Sequence, residues 1–121
     1  MPKYIDGFVL PLPKDKIDQY KSIAEQACAV WKEHGALDYV ECVCEDPNAP
    51  EMISFPQLAG ASDAETVIFA WIVYRSREHR DEVNAKVMAD PRMNEMCGEA
   101  GPPFDCKRMA YSGFEVLVSA D

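Results

Sequence analysis

Residues 66–74 read TVIFAWIVY, a near-continuous run of β-branched and aromatic side chains. Such a run is typical of a central β-strand that other elements cover on both faces. Working outward from it, alternating or β-rich composition predicts three more strands, over residues 4–10, 37–45 and 109–118. The first of them is expected to stop at the prolines Pro11 and Pro13, because proline cannot donate a ladder hydrogen bond.

Two helices are predicted between the strands. From about residue 14 to 34 the apolar side chains recur at helical spacing, and Gly35 stands where a left-handed residue is wanted after a helix end. The second helix begins after an N-cap at Ser76 and continues to about residue 89, and Asp90-Pro91 starts a further short turn. The segment between the second and third strands predicts a long ordered loop with room for one short strand.

The predicted order of elements is β-α-β-β-α-β. Two right-handed βαβ units joined by a hairpin-like link form a ferredoxin-like α+β sandwich, with a four-stranded antiparallel sheet in the order 4-1-3-2. Both helices cover one face of the sheet, and the other face is expected to be bare. The length of 121 residues fits one domain over residues 1–121.

Charge and composition exclude several classes of partner. The formal net charge is −9, and a negative field repels phosphate backbones, so nucleic acid is not an expected partner. No apolar run reaches the roughly 20 residues that span a bilayer, so no membrane is expected either. The first residues lack the pattern of a secretory signal, which predicts a cytoplasmic location. The five cysteines are expected to be free thiols, largely in the core.

Alternation along each strand divides its side chains between two faces. One set is small or aliphatic and is expected to pack beneath the helices: Ile5, Gly7, Val9, Val40, Cys42, Cys44, Ile68, Ala70, Ile72, Ser112, Phe114 and Val116. The other set combines large aromatic side chains with carboxylates and is expected on the open side: Asp6, Phe8, Tyr39, Glu41, Val43, Phe69, Trp71, Val73, Tyr111, Gly113 and Glu115. We call this second set the aromatic-acid set.

An exposed surface of that size predicts an interface. Each large aromatic side chain offers about 150–250 Å² of contact area, so four of them would leave an apolar patch larger than monomers ordinarily expose. We therefore expect a homodimer in which two copies pair through their open sheet faces. The buried carboxylates would then need hydrogen-bond donors.

The stretch HGALDYVECVCED, residues 34–46, suggests a metal site at first sight. The strand pleat separates its ligands, because Cys42 and Cys44 point to one side while Glu41 and Glu45 point to the other. His34 and His79 are expected at opposite edges of the sheet, about 30 Å apart, if both helices start at the same edge. Zinc needs three or four converging ligands, so no metal and no cofactor is predicted.

The candidate site residues come from the aromatic-acid set and from the basic segments near it. Asp6 and Glu41 are candidates for general acid or base, and His79 is a candidate proton shuttle or, alternatively, a capping residue. The candidate ligand-binding residues are aromatic, acidic or basic: Tyr39, Phe69, Trp71, Tyr111, Glu115, Arg80, Lys107 and Arg108. The alternative for all of them is a structural role, as interface filling or surface ion pairs.

Two functions remain open from the sequence. The first is a cofactor-free enzyme, oxygenase- or isomerase-like, that binds a small organic molecule in a pocket between sheet and sheet or between sheet and helix. The second is a non-catalytic dimeric binding or assembly module with a filled interface. Hydrolase, P-loop, dinucleotide and metalloprotease motifs do not occur in the chain.

Four phrases of the sequence carry a family resemblance: YIDGFVLPLPKDK, AVWKEHGALDYVECV, FAWIVYRSREHRDEVNAKVMADPRM and PFDCKRMAYSGFEVL. They resemble the YbaA-like bacterial proteins, a family of unknown function, over almost the whole chain. The resemblance implies the dimeric α+β barrel superfamily, which has antibiotic-biosynthesis monooxygenase-like and EthD-like members. It implies no catalytic residue and no reaction, since one fold serves many functions.

Overall fold

A computed structural model describes residues 2–96, 98 and 101–120 of the chain. Its four strands form one antiparallel sheet and are β1 (Tyr4–Pro13), β2 (Asp38–Val43), β3 (Glu65–Tyr74) and β4 (Ala110–Glu115). Their order across the sheet is β2-β3-β1-β4, which is the predicted order read from the other edge. The ferredoxin-like α+β prediction is therefore confirmed.

Strand β1 continues through both prolines, three residues beyond the predicted end. It pairs with β3 along its whole length, to Pro13↔Glu65, whereas its pairing with β4 ends at Val9↔Ala110. Past Val9 the β4 side of the strand makes no ladder bonds, and proline is tolerated at such an unpaired edge. The strand can therefore include residues that would break a fully paired central strand.

The described residues include four helices beside the sheet: α1 (Ile17–Glu33), α2 (Phe55–Ala59), α3 (Arg77–Met88) and α4 (Arg92–Glu95). Short 3-10 turns at Lys14–Lys16 and Cys106–Arg108 precede α1 and β4. The Ser76 hydroxyl accepts a hydrogen bond from the backbone N–H of His79, which confirms the predicted N-cap of α3. The predicted long loop contains α2, whose start is fixed by a capping box between Ser54 and Gln57.

The strand register corrects the predicted division of the sheet into two faces. Asp6 lies opposite Ile72, Phe8 opposite Ala70, and Glu41 also opposite Ala70, so these side chains share one face. That face packs against α1 and α3. Asp6, Tyr39 and Glu41 of the aromatic-acid set therefore lie on the helix-covered side, and the prediction that they form the open side is wrong. The prediction that Gly7, Val9 and Cys42 pack beneath the helices is wrong for the same reason, because they share a face with Phe69 and Trp71.

The opposite face, which we call the open face, carries the aromatic pair of β3. Phe69 lies opposite Cys42 and Val9, and Trp71 lies opposite Gly7, so all of them point away from α1 and α3. This face is not completely bare, because α2 covers one end of it and the Phe55 ring lies 5.6 Å from the Phe69 ring. Phe69 nevertheless keeps 42% of its surface exposed.

The two main helices run in opposite directions, which corrects the predicted position of the two histidines. Strands β1 and β3 are antiparallel, so the helices that follow them are antiparallel as well. Gly35, with a positive φ of 112°, follows α1 and lies against α3: a Cβ atom there would come 3.5 Å from Nε2 of His79. His34 and His79 are therefore at neighbouring helix ends, and they do not occupy opposite edges of the sheet.

Candidate functional site

A cavity of about 270 Å³ lies between the helix-covered face of the sheet and helix α1. Ala70 and Ile72 form part of its floor, and Ala24 and Ala27 of α1 form part of its roof. The three alanines among these residues are small and leave volume that larger side chains would fill. We call this space the inner cavity.

Methionine and aromatic side chains from the last third of the chain close one side of the inner cavity. Met93 lies in α4 and Met96 is its C-cap residue, and Phe104 and Met109 flank the 3-10 turn that leads into β4. Methionine side chains adapt easily to irregular partners and make favourable contacts with aromatic rings. The walls are therefore well suited to an apolar or aromatic molecule.

A second cavity of about 320 Å³, which we call the edge cavity, opens beside β2 at the margin of the sheet. Tyr20, Ala24, Tyr39 and Glu41 belong to the walls of both spaces. The two cavities are thus neighbours separated by this small group of side chains. The polar members of that group are the tyrosines and the glutamate.

The Glu41 carboxylate accepts two tyrosine hydrogen bonds at the boundary between the cavities. The Tyr39 hydroxyl donates to Oε2 at 2.6 Å, and the Tyr20 hydroxyl donates to Oε1. Tyr39 and Glu41 are two residues apart in β2 and so point to the same face, while Tyr20 reaches them from α1. We call these three residues the carboxylate cluster.

The hydroxyls of the carboxylate cluster are held in their protonated form. Burial raises the pKa of Tyr20, and the hydrogen bond to Glu41 and its negative charge act in the same direction. Burial also raises the pKa of Tyr39, again assisted by the charge of Glu41. Both tyrosine hydroxyls consequently keep their protons, and remain hydrogen-bond donors, over the whole range of physiological pH.

Asp6 lies outside both cavities, in an ion pair beneath α3. It is 1% exposed, and its Oδ1 accepts hydrogen bonds from Nη1 of Arg80 at 3.1 Å and from the Tyr111 hydroxyl at 3.0 Å. Burial by itself would lower the pKa of Arg80, but the charge of Asp6 and its neighbours raises it overall. The structure thus brings three predicted site residues together in one hydrogen-bonded group, although Nε of Arg80 is buried without a hydrogen-bond partner among the described residues.

His79 is buried at the start of α3 and does not line either cavity. Its Nδ1 accepts a hydrogen bond of 3.0 Å from the backbone N–H of Arg75, and its ring packs edge-on against Tyr74. Burial lowers the pKa of His79, and the positive charge of Arg75 lowers it further. This environment favours a neutral imidazole that fixes the helix start.

The remaining predicted ligand-binding residues are dispersed. Phe69 and Trp71 lie on the open face, and their rings are 5.4 Å apart. Glu115 and Lys107 are exposed on β4 and on the preceding 3-10 turn. Arg108 donates to both carboxylate oxygens of Glu65, at 2.8 and 3.0 Å, which occupies the guanidinium. Only Tyr39 and Glu41 of the predicted site residues line the inner cavity.

Tyr20 and the methionines of α4 belong to the cavity wall but were not among the predicted site residues. A signal for Tyr20 existed, because it falls in the apolar stripe of the first helix and a buried tyrosine hydroxyl needs a hydrogen-bond partner. No comparable signal marked Met93 and Met96. Methionine serves equally well as core filling and as ligand contact.

Within the part of the chain that the structure describes, no group of three or more His, Cys, Asp or Glu side chains could hold a metal ion. His34 is 2.9 Å from Asp90, so its Nε2 is engaged there and not with His79. Among the helices described, none is both long enough and apolar enough to cross a membrane.

The fold and the cavity define a class: a ferredoxin-like α+β protein with an apolar cavity beneath its first helix and one carboxylate cluster in the cavity wall. The chain belongs to the family described as protein of unknown function (DUF1428), whose model matches residues 3–106. The family resemblance predicted from the sequence is thereby confirmed.

Relatives of this chain include several proteins described as uncharacterized. The chain is 47% identical over 116 residues to the uncharacterized protein YbaA of Escherichia coli strain K12, with 96% of this chain and 97% of that protein covered. The YbaA proteins of Escherichia coli O157:H7 and of Shigella flexneri match with the same identity and coverage. A proposal about function therefore depends on the geometry of the site.

Proposed function

We propose that this protein binds a small organic molecule in the inner cavity. The observation that carries the proposal is a space of about 270 Å³ with apolar walls and a single carboxylate cluster at one side. Small-molecule sites combine predominantly apolar walls with a few placed polar groups. An unfilled apolar space of this size lowers the stability of the fold, because side chains that filled it would stabilise the core. A role in stability therefore does not explain the cavity, whereas ligand binding does.

The experiment fills the cavity from α1 and compares ligand binding. Ala24 contributes to the walls of both cavities, whereas Ala29 on the same helix is exposed to solvent. Thermal-shift screening of an aromatic fragment collection should find compounds that stabilise the wild-type chain and the Ala29→Phe control but not Ala24→Phe. Stabilisation that is unchanged in Ala24→Phe would contradict the proposed site.

We also propose that two copies associate through the open face. Phe69 and Phe114 on this face are 42% and 55% exposed, and Trp71 lies between β1 and β2 partners in the centre of the sheet. A standard interface buries about 800 Å² on each partner, an area that a sheet face with several aromatic side chains can supply. Sedimentation of the wild-type chain at micromolar concentration tests this, and a monomer there would contradict it.

A reducing cytoplasm is the proposed location. Cys28, Cys42, Cys44 and Cys106 are free cysteines, which suits a compartment that keeps thiols reduced. Measurement of the thiol content of freshly isolated protein from cells tests this proposal.

Proton transfer is a second candidate function, favoured by the position of Glu41 between the two cavities. A carboxylate oxygen at the cavity wall can accept a proton from a bound carbon acid and return it to another atom, as in an isomerisation. The two tyrosine hydrogen bonds orient the carboxylate for this transfer. Exchange of deuterium from solvent into a bound ligand, seen by NMR in wild type and lost in Glu41→Gln, is the test.

A further inference from the structure

Among the described side chains of its wall, the inner cavity offers a hydrogen-bond acceptor to a ligand but no free donor, and from this we infer the chemical class of the ligand. We propose that the ligand is a planar, one- or two-ring molecule that carries a neutral or cationic hydrogen-bond donor, such as a phenolic hydroxyl or an N–H group, and no carboxylate or phosphate. This inference rests on the proposed binding function and specifies the molecule that the site takes.

All the side-chain donors described at the cavity wall are already engaged. The Tyr20 and Tyr39 hydroxyls donate to the two oxygens of Glu41. The indole N–H of Trp31 donates to Oδ1 of Asn84 at 3.2 Å. A tyrosine hydroxyl and an indole N–H each have one proton to donate, so none of these groups can donate to a ligand without giving up its present partner.

The Glu41 carboxylate, by contrast, can still accept further hydrogen bonds. Each carboxylate oxygen of Glu41 can accept about two hydrogen bonds and receives one tyrosine hydrogen bond. A ligand donor placed against Glu41 would therefore form a charge-assisted hydrogen bond without breaking the cluster. A ligand that brought only acceptors would leave them unpaired in an apolar space, which is costly.

The charge at the cavity wall also favours a neutral or cationic ligand over an anionic one. Among the described residues that line the inner cavity, Glu41 is the only ionisable carboxylate and there is no Lys, Arg or His. An anionic ligand would be repelled by Glu41 and would find no countercharge there. The net charge of −9 for the whole chain adds a weaker repulsion at long range. The charge at the cavity wall, and not only the net charge of the chain, therefore disfavours ligands that carry a carboxylate or a phosphate.

Size and wall chemistry define the remaining features of the ligand. A cavity of roughly 150 Å³ with apolar walls admits benzene. The inner cavity, at about 270 Å³, has room for two fused rings or for one ring with a short substituent. Phe8, Trp31 and Phe104 supply aromatic surfaces, and the methionines of α4 supply sulfur contacts, both of which favour a planar aromatic partner.

The test uses three probes that share one ring system: 2-naphthol, 2-methoxynaphthalene and 2-naphthoate. The first has a donor, the second has the same oxygen without a donor, and the third is an anion. Calorimetric titration of the wild-type chain should give 2-naphthol at least about tenfold tighter binding than 2-methoxynaphthalene, as expected for a hydrogen bond to a charged group, and 2-naphthoate the weakest binding.

The Glu41→Gln variant should remove this preference. An amide has one oxygen and cannot accept from both tyrosines at their present positions, so one hydroxyl becomes free to donate to a ligand. The ratio of the dissociation constants of 2-methoxynaphthalene and 2-naphthol should then fall below about threefold, and 2-naphthoate should bind more tightly than it does to the wild-type chain. If this variant does not fold, the order of affinities in the wild-type chain alone still decides the inference.

The outcomes separate this inference from the proposed function. If the three probes bind the wild-type chain equally and Ala24→Phe abolishes their binding, the inner cavity is a ligand site but the donor requirement is wrong. If no probe binds, or if Ala24→Phe binds them unchanged, the proposed function itself is overturned. Tighter binding of 2-naphthoate than of 2-naphthol would contradict the charge selection directly.

Discussion

The Tyr39 hydroxyl donates a hydrogen bond of 2.6 Å to Oε2 of Glu41, which stands two residues further along the same strand. Side chains two residues apart in a strand point to the same face, so the pair is formed by β2 alone. Helix α1 then adds Tyr20 on the second carboxylate oxygen. The polar part of the inner cavity is thus assembled from one strand and one helix that are consecutive in the chain.

Removal of the Tyr39 hydroxyl should weaken this cluster. We expect Tyr39→Phe to lower the free energy of unfolding by about 1.5–3 kcal/mol, the usual worth of a hydrogen bond to a charged group. Urea unfolding measures the effect. A double-mutant cycle with Glu41→Ala, which removes both acceptor oxygens, provides the control: the two changes should couple, whereas strictly additive losses would mean that the hydrogen bond contributes nothing to stability.

The ion pair beneath α3 should be far more sensitive to substitution. Asp6 and Arg80 have side chains that are 2% and 14% exposed, so Asp6→Ala would remove the buried countercharge of the guanidinium and leave it with the solvent-exposed carboxylate of Asp81. We expect a loss of about 3–5 kcal/mol in the free energy of unfolding, measured by urea denaturation.

Asp81 provides the matched control for Asp6, because it contacts the same arginine from the solvent side. Its carboxylate is 2.9 Å from Nε of Arg80 and its side chain is 61% exposed. Asp81→Ala should cost no more than about 1 kcal/mol. Equal losses in the two variants would show that burial does not control the strength of this ion pair.

The sequence predicted the elements and their order because these depend on local patterns, but it did not predict the register. In TVIFAWIVY, both alternate sets are apolar, so neither set is marked as the one that faces the helices. The choice made for this strand placed Phe69 and Trp71 with the carboxylates, whereas the register places Ile72 opposite Asp6. The faces of β3 itself were predicted correctly, with Phe69 and Trp71 on the open side, and the faces of the other three strands were exchanged relative to it.

The polar contacts of the site were beyond prediction for a different reason. Asp6 and Arg80 are separated by 74 residues, and Tyr20 and Glu41 by 21. Each contact depends on which helix crosses which strand, and a sequence pattern does not contain that information. The need for a partner could be predicted from the cost of an unpaired buried carboxylate, but the partner itself could not.

Loss of the indole of Trp71 should weaken the proposed dimer. Trp71 lies on the open face with its ring 5.4 Å from that of Phe69, so truncation removes aromatic area from the centre of the proposed interface. We expect Trp71→Ala to raise the dissociation constant of the dimer by at least about tenfold, corresponding to 1.4 kcal/mol or more. Sedimentation equilibrium measures the constant.

Met88 offers a control for the interface, because it is 63% exposed on α3, on the opposite side of the sheet. Met88→Ala should leave the dissociation constant unchanged. A dimer that tolerates Trp71→Ala and is weakened by Met88→Ala would place the interface on the helices.

Acid should destabilise the fold through His79. Burial lowers the pKa of His79, and the positive charge of Arg75 adds to the effect, while Glu82 opposes it. An unfolded chain takes up a proton on histidine near pH 6.5. Between that pH and the lower folded pKa the unfolded state binds more protons, so stability is fully present above about pH 6.5 and falls as the pH is lowered.

The measurement compares wild type with His79→Asn at pH 7.5 and pH 5.5. An asparagine side chain keeps an acceptor near the position of Nδ1, which receives the backbone N–H of Arg75, but it does not titrate. The urea midpoint of the wild-type chain should therefore drop more between the two pH values than that of the variant. Every other residue is the same in both proteins, so the comparison isolates the side chain at position 79. Equal drops would mean that the imidazole at position 79 takes up its proton as easily in the folded state as in the unfolded chain.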